Sequence, residues 1–258
     1  MDAWDWLTWL AMGVAAFAAG SIDAAVGGGG LIQVPALLLG FPNQPLPNLF
    51  GTNKIASVFG TSVAAFRYLR RVAIPVTLLT GVVIAAAVGS VLGASAVTLL
   101  PQAWVKPIVL FLLIAVTVYT LLRKEMGLVA RAHPLTTRER WYAFGWSAVI
   151  GAYDGFLGPG TGSFLIFAFI RFLRFDFVQA SALAKVGNVA TNVAAIAFFS
   201  WQAQPIWLLG MWMAFCNVAG SLFGTWFAFR FGALWLRRLF LGVVSLTILR
   251  LSYEWVIQ

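Results

Sequence analysis

The chain has 258 residues, 61% of them hydrophobic and only 10% charged, and a formal net charge of +9. A soluble domain carries about 25% charged residues, so this composition excludes one and predicts an all-α polytopic membrane protein. The basic residues lie between apolar runs, where membrane topology places them, so the positive charge argues against a nucleic-acid partner.

In chain order, Trp4–Ile22 is the first apolar run, with Trp4, Trp6 and Trp9 at its start as expected of an interfacial aromatic belt. Asp2 and Asp5 precede it and no basic segment does, so it reads as a permanent membrane segment and not a cleaved signal. Asp23 and four consecutive glycines, Gly27 to Gly30, interrupt it. Leu31–Gly40 follows, roughly 15 Å long as a helix and too short to span. Phe41–Asn48 is a turn rich in Pro and Asn. Gly51-Thr52-Asn53-Lys54 opens the next segment, which reaches Leu69 and ends among Arg67, Arg70 and Arg71. Ile74–Leu100 and Val105–Leu122 are spans separated by a turn at Pro101. Residues 124–140 form a polar linker that holds His133.

The second half repeats the first. With an offset of 131 residues, Gly20 falls on Gly151, Asp23 on Asp154, Gly27 on Gly158, Lys54 on Lys185 and Trp104 on Trp235. The domains are therefore a first repeat over 1–123, the linker, and a second repeat over 141–258. Positive charge sets their orientation. Arg171 and Arg174 stand where Phe41–Asn48 is neutral, and Ser200–Pro205 is neutral where the first repeat has three arginines. Inverting the second repeat keeps the basic loops on the cytoplasmic side and leaves Lys106 alone in an outer loop. Each repeat is then a leading hairpin with a glycine-rich break followed by three spans. That gives eight to ten membrane segments, with both termini periplasmic.

Broken helices at membrane depth survive where they are buried in protein or line a wet cavity. In inverted-repeat transporters such breaks meet at a midplane site. The candidate substrate-binding residues are therefore Gly28, Gly29, Gly30, Gly51, Thr52, Asn53 and Lys54 in the first repeat. Gly160, Thr161, Gly162, Lys185 and Asn188 are their partners in the second. Helix starts near Gly30, Gly51, Thr161 and Lys185 offer N–H groups and a positive dipole end to an anion. The glycines have a plainer reading as close-packing residues, and Gly89/Gly93 and Gly220/Gly224 fit it. A lysine inside the membrane costs about 2.5–3.5 kcal/mol and is usually paired or functional, although Lys54 lies near enough to its segment's start to snorkel. Asp23 and Asp154 read equally as a proton relay, as counter-ions to the lysines, or as caps on loop N–H groups. No metal-ligand cluster or nucleophile–base set is present to suggest an enzyme, and no cofactor is implied.

GSIDAAVGGGGLIQVPALLL with FGTNK, and GAYDGFLGPGTGSF with AKVGN, resemble the TauE/SafE family of sulfite-exporter-like permeases over essentially the whole chain. The resemblance implies a bacterial inner-membrane permease for a small anion such as sulfite or an organosulfonate. It further implies that the glycine-rich breaks and the Gly-Thr-Asn-Lys segment border the route. The partners are then that anion and the lipid bilayer, with a homo-oligomer left open. The expected function is a secondary transporter working by alternating access, with Asp23 and Asp154 coupling protons. An anion channel with the same glycine-lined pore is the alternative. Lys54 and Lys185 are expected to face one central cavity across a pseudo-two-fold axis.

Overall fold

The computed structural model describes residues 5–98, 107, 108, 111, 114 and 134–231. Most of the span expected over Val105–Leu122, residues 124–133 of the linker, the segment around Trp235 and both termini lie outside them. The described residues are helical. They form α1 (Trp6–Val26), α2 (Gly30–Gly40), α3 (Leu46–Leu69) and α4 (Val76–Val97), then α5 (Thr137–Phe156), α6 (Thr161–Leu173), α7 (Phe177–Gln202) and α8 (Trp207–Phe231). The second set of helix starts follows the first at the offset of 131 read from the sequence.

Local chemistry sets these boundaries. Asp5 caps α1 by accepting from the Leu7 N–H at 3.2 Å. Gly27, left-handed at φ 83°, ends α1, and its N–H donates to the Asp23 carbonyl. The break is therefore Gly27–Gly29, shorter than the sequence suggests, and Asp23 is the start of the last helical turn before it. Thr136 and Glu139 cap each other's backbone at the start of α5, inside the stretch read as linker. α3 begins at Leu46, five residues before the expected Gly51. Pro45 precedes it and Pro47 sits in its first turn, where a missing N–H costs nothing.

Four helices, α1, α4, α7 and α8, are long and apolar enough to cross a membrane. α2 and α6, with 11 and 13 residues, reach only roughly 16–20 Å and cannot span a core about 30 Å thick. α3 is long enough but carries Asn53, Lys54 and Arg67. Large apolar side chains such as Val14, Ile84, Val149 and Phe215 are exposed on the outer surface, as expected of a lipid-facing wall. This is a multi-pass membrane protein.

Side-chain neighbours give the helix directions. A Cβ on Gly13 would touch Trp212, and one on Gly220 or Gly224 would overlap Phe17 or Ser21, so α1 and α8 run parallel. By the same test α4 and α5 run parallel, with Gly81 beside Phe144, Gly89 on Ala148 and Gly93 on Ala152. α3 runs with α8, as Gly210 touches Ile55, Ser221 donates to the Gly60 carbonyl, and Arg67 donates to the Leu222 carbonyl. α3 and α7 are antiparallel: Gly51 lies on Phe199, whereas Thr61 and Lys185 share Asp23. Ser90 donates to the Thr191 carbonyl, as Ser221 donates to that of Gly60, which repeats one contact at the same offset. α5, α7 and α8 thus run opposite to their counterparts α1, α3 and α4.

The tightest seams join helices from different halves of the sequence. α1 packs on α8 and α4 on α5, backbone against backbone at glycine. α3 packs on α8 as α7 packs on α4. Two units result: α1, α2, α3 and α8 against α4, α5, α6 and α7, meeting chiefly where α3 crosses α7. Gly93→Ala, whose methyl would overlap the Ala152 carbonyl, is expected to destabilise the protein by about 1–3 kcal/mol. Gly145→Ala, with no atom within 4 Å of the new methyl, is expected to be neutral or to stabilise by up to about 1 kcal/mol. Thermal unfolding in detergent separates the two.

Candidate functional site

The two breaks meet back to back. The Ser163 N–H donates to the Gly27 carbonyl at 2.9 Å and its hydroxyl to that of Val26 at 2.7 Å. Gly162 lies so close to the Gly27 backbone that a Cβ on either would overlap the other. Gly27 and Gly158 share the left-handed conformation, at φ 83° and 85°, so neither position accepts a side chain without strain.

Beside these breaks lies a small polar cavity. Asp23, Gly29, Gly30, Asn53 and Lys54 line it from the first half, and Asp154, Gly160, Thr161, Gly162 and Asn188 from the second. Its free volume of about 20 Å³ is close to that of one water molecule. The sequence also undervalued Gly27, Gly158, Gln33, Thr61 and Asn217, which stand on the same wall with Ser57 and Asn192. Gln33 follows Gly30 by one helical turn, and Thr61 follows Lys54 by two, a shared-face spacing that a search for charges and glycines passes over.

Not every candidate reaches the cavity. Gly51 packs on Pro205 and Phe199. The Thr52 hydroxyl donates to the Asn48 carbonyl and accepts from the Ile206 N–H, so it ties α3 to the start of α8. Gly28 is not on the cavity wall, and its carbonyl accepts from the Leu31 N–H. Gly51 and Lys185 were expected at helix starts. They instead sit five and eight residues inside α3 and α7, where helical bonding uses the N–H groups. Gly30 and Thr161 are true helix starts.

Two buried ion pairs dominate the electrostatics. Lys54 Nζ lies 2.7 Å from Asp154 Oδ2, both side chains 3% exposed. Lys185 Nζ lies 3.0 Å from Asp23 Oδ2, with side chains 0% and 14% exposed. Lys185 also donates to the Asp23 carbonyl. Lys54 does not snorkel, because α3 starts early enough to place it deep in the helix. Thr161 donates to Asp154 at 2.7 Å and Thr61 to Asp23 at 3.3 Å, so each carboxylate has a hydroxyl partner as well as its lysine. The aspartates act as counter-ions, and each lysine pairs with the aspartate of the other half. Asp23, Lys54 and Asp154 line the cavity, whereas Lys185, expected to face it, is fully buried off its wall and reaches it only through Asp23. Both pairs bridge the two packing units.

Removing one partner leaves the other charge buried and alone, which costs about 3–5 kcal/mol. Lys54→Met is therefore expected to destabilise the protein by about that much, and Asp154→Leu on top of it to regain most of the loss. A double-mutant cycle on thermal unfolding measures the coupling.

The comparisons with known proteins come to the same class. A "Probable membrane transporter protein ORF9" of Sinorhizobium sp is 38% identical over 223 residues, 85% of this chain and 83% of that protein. A "Probable membrane transporter protein" of Haemophilus influenzae is 36% identical over 210 residues, 81% and 78% of the two chains. One of Escherichia coli K12, YfcA, is 28% identical over 243 residues, 93% and 87% of the two chains. No solved structure matches at a comparable level of significance. The profile of the family described as "Sulfite exporter TauE/SafE" matches residues 12–251, and the chain belongs to that family of membrane transporters.

Proposed function

We propose that the protein is a secondary transporter of a small anion, of the sulfite, sulfonate or wider organosulfur class. It would act by alternating access in a bacterial inner membrane, with both termini periplasmic. The observation that carries this reading is the pair of reciprocal Lys–Asp bridges beside one small polar cavity at two helix breaks. An anion can take the place of a carboxylate beside Lys54 or Lys185 without leaving a lysine unpaired in hydrocarbon. That exchange lowers the cost of parting the two packing units, since the bridges hold them together. The moving bodies are then α1, α2, α3 and α8 against α4, α5, α6 and α7, and not one sequence repeat against the other.

The displaced carboxylate still has to be neutralised. A proton on Asp23 or Asp154 does this, so anion and proton bind together and the charge balance of the site is conserved. The sign follows: more protons mean fewer charged carboxylates competing for the lysines, and tighter anion binding.

In proteoliposomes, sulfite and methanesulfonate uptake is expected to saturate and to rise with an inward proton gradient. Asp23→Asn is expected to retain anion binding and lose at least tenfold of the gradient-driven stimulation. The lysine double mutant K54A/K185A is expected to abolish uptake while still inserting in the membrane. Conductance without saturation in planar bilayers would establish the channel instead. Full uptake by a folded K54A/K185A protein would remove the site.

A further inference from the structure

The two halves of the cavity wall share their charges and little of their remaining chemistry. Under the offset of 131, Gln33 is matched by Phe164, Asn53 by Ala184 and Asn217 by Ala86. At these three positions the first half has amides where the second has apolar side chains, while Asn188 and Asn192 of the second half stand where the first has Ser57 and Thr61. Among them Gln33 stands out. It is 0% exposed, it lies on the cavity wall, and its Nε2 has no hydrogen-bond partner. A buried amide N–H left unpaired costs about 1–3 kcal/mol.

The orientation of that amide is fixed from outside the cavity. Asn217 Nδ2 donates to the Ala16 carbonyl at 3.2 Å, and a backbone carbonyl can only accept. The same Nδ2 donates to Gln33 Oε1 at 3.2 Å, and the Ser57 hydroxyl donates to that oxygen at 3.3 Å. Turning the Gln33 amide over would set NH₂ against NH₂. The α1 backbone thus dictates, through Asn217, that Gln33 presents donors to the cavity and no acceptor.

Building on the anion-transport reading above, we infer that Gln33 is a substrate-contact residue that donates to an acceptor oxygen of the bound oxyanion. It makes the pseudo-symmetric site read its cargo from one side. The ligand class is an oxyanion with at least one oxygen free to accept, such as a sulfonate or sulfite head group. Asn217 and Ser57 are positioning residues that hold Gln33 in register. The charged groups on the same cavity wall are Asp23 on α1, Lys54 on α3 and Asp154 on α5, with Lys185 on α7 paired to Asp23 behind it. They supply attraction, and Gln33 supplies direction.

The test uses full-length protein in proteoliposomes, with methanesulfonate as probe because its charge is constant between pH 5 and pH 8. Gln33→Met, of similar length but without a donor, is expected to raise KM about tenfold to a hundredfold, the value of one hydrogen bond to a charged ligand. Gln33→Glu keeps an acceptor for Asn217 and Ser57. It is expected to be as weak as Q33M at pH 8 and to recover towards wild type as falling pH protonates its carboxyl, which then donates again. Each value is taken as a ratio to wild type at the same pH. If Q33M does not fold, the pH recovery of Q33E decides alone. A KM within twofold of wild type for Q33M, or Q33E without recovery, overturns the assignment. So does a lowered melting temperature with unchanged KM, the result expected if Gln33 only holds a buried water. Wild-type protein that takes up neither methanesulfonate nor sulfite would fail at the earlier step, the anion reading itself.

Discussion

Two lysines that cannot be left alone in hydrocarbon organise this molecule. Lys54 and Lys185 are buried almost completely, and each is neutralised by an aspartate that the other half of the sequence provides. The glycine breaks follow from this need. Asp23 and Asp154 each sit in the last turn of a helix that must stop at membrane depth, so that a short helix can turn back beside the site. Gly27 and Gly158 make that stop possible because their left-handed backbone has no side chain to clash. The same lack of side chains lets the two breaks touch, with Gly162 against Gly27. Neither half can complete its own site.

The seams of small residues play a different part. α1 against α8 and α4 against α5 close at glycine, backbone on backbone, where dispersion and short contacts replace the hydrophobic effect that lipid cannot supply. These seams have little freedom to slide. Polar and charged contacts, by contrast, cluster where α3 faces α7 and where the breaks meet. Tight apolar seams inside each unit and exchangeable ion pairs between units are the division of labour that a rocking transporter needs. The proposed motion therefore separates bodies that no cut of the sequence would isolate.

Much of this was legible in the sequence, because charge inside an apolar run is conspicuous. Asp23/Lys54 and Asp154/Lys185, at equal spacing and equal offset, marked both the duplication and the two buried ion pairs. The reversal of the basic loops matches the antiparallel course of counterpart helices. The pairing of the charges was not legible. Each lysine follows its own aspartate by the same interval, and only the crossing of the halves makes the partner the distant one. Helix starts were also misplaced. Pro45 and Pro47 read as a turn, yet proline is well suited to a first helical turn, so α3 begins early and carries Gly51 and Thr52 away from the cavity into the seam with α7 and α8. Gln33 was lost for a plainer reason: a single amide in LIQVPALLL has no pattern to betray it, and its role depends on Asn217, far away in sequence.

That last point separates what duplication preserves from what it frees. The aspartates, the lysines and the left-handed glycines occur twice because each half must stop a helix and bury a charge, whatever is transported. Gln33, Asn53 and Asn217 occur once, opposite Phe164, Ala184 and Ala86. A site with perfect two-fold symmetry would offer the same chemistry from both sides and could not orient an asymmetric ligand. A sulfonate or a sulfite ion is asymmetric, with oxygens at one end and a carbon or a lone pair at the other. Unlike donor sets on the two walls can tell the two ends of such a cargo apart. In the proposed mechanism the ion pairs govern how the protein moves, and the unmatched amides govern what it accepts.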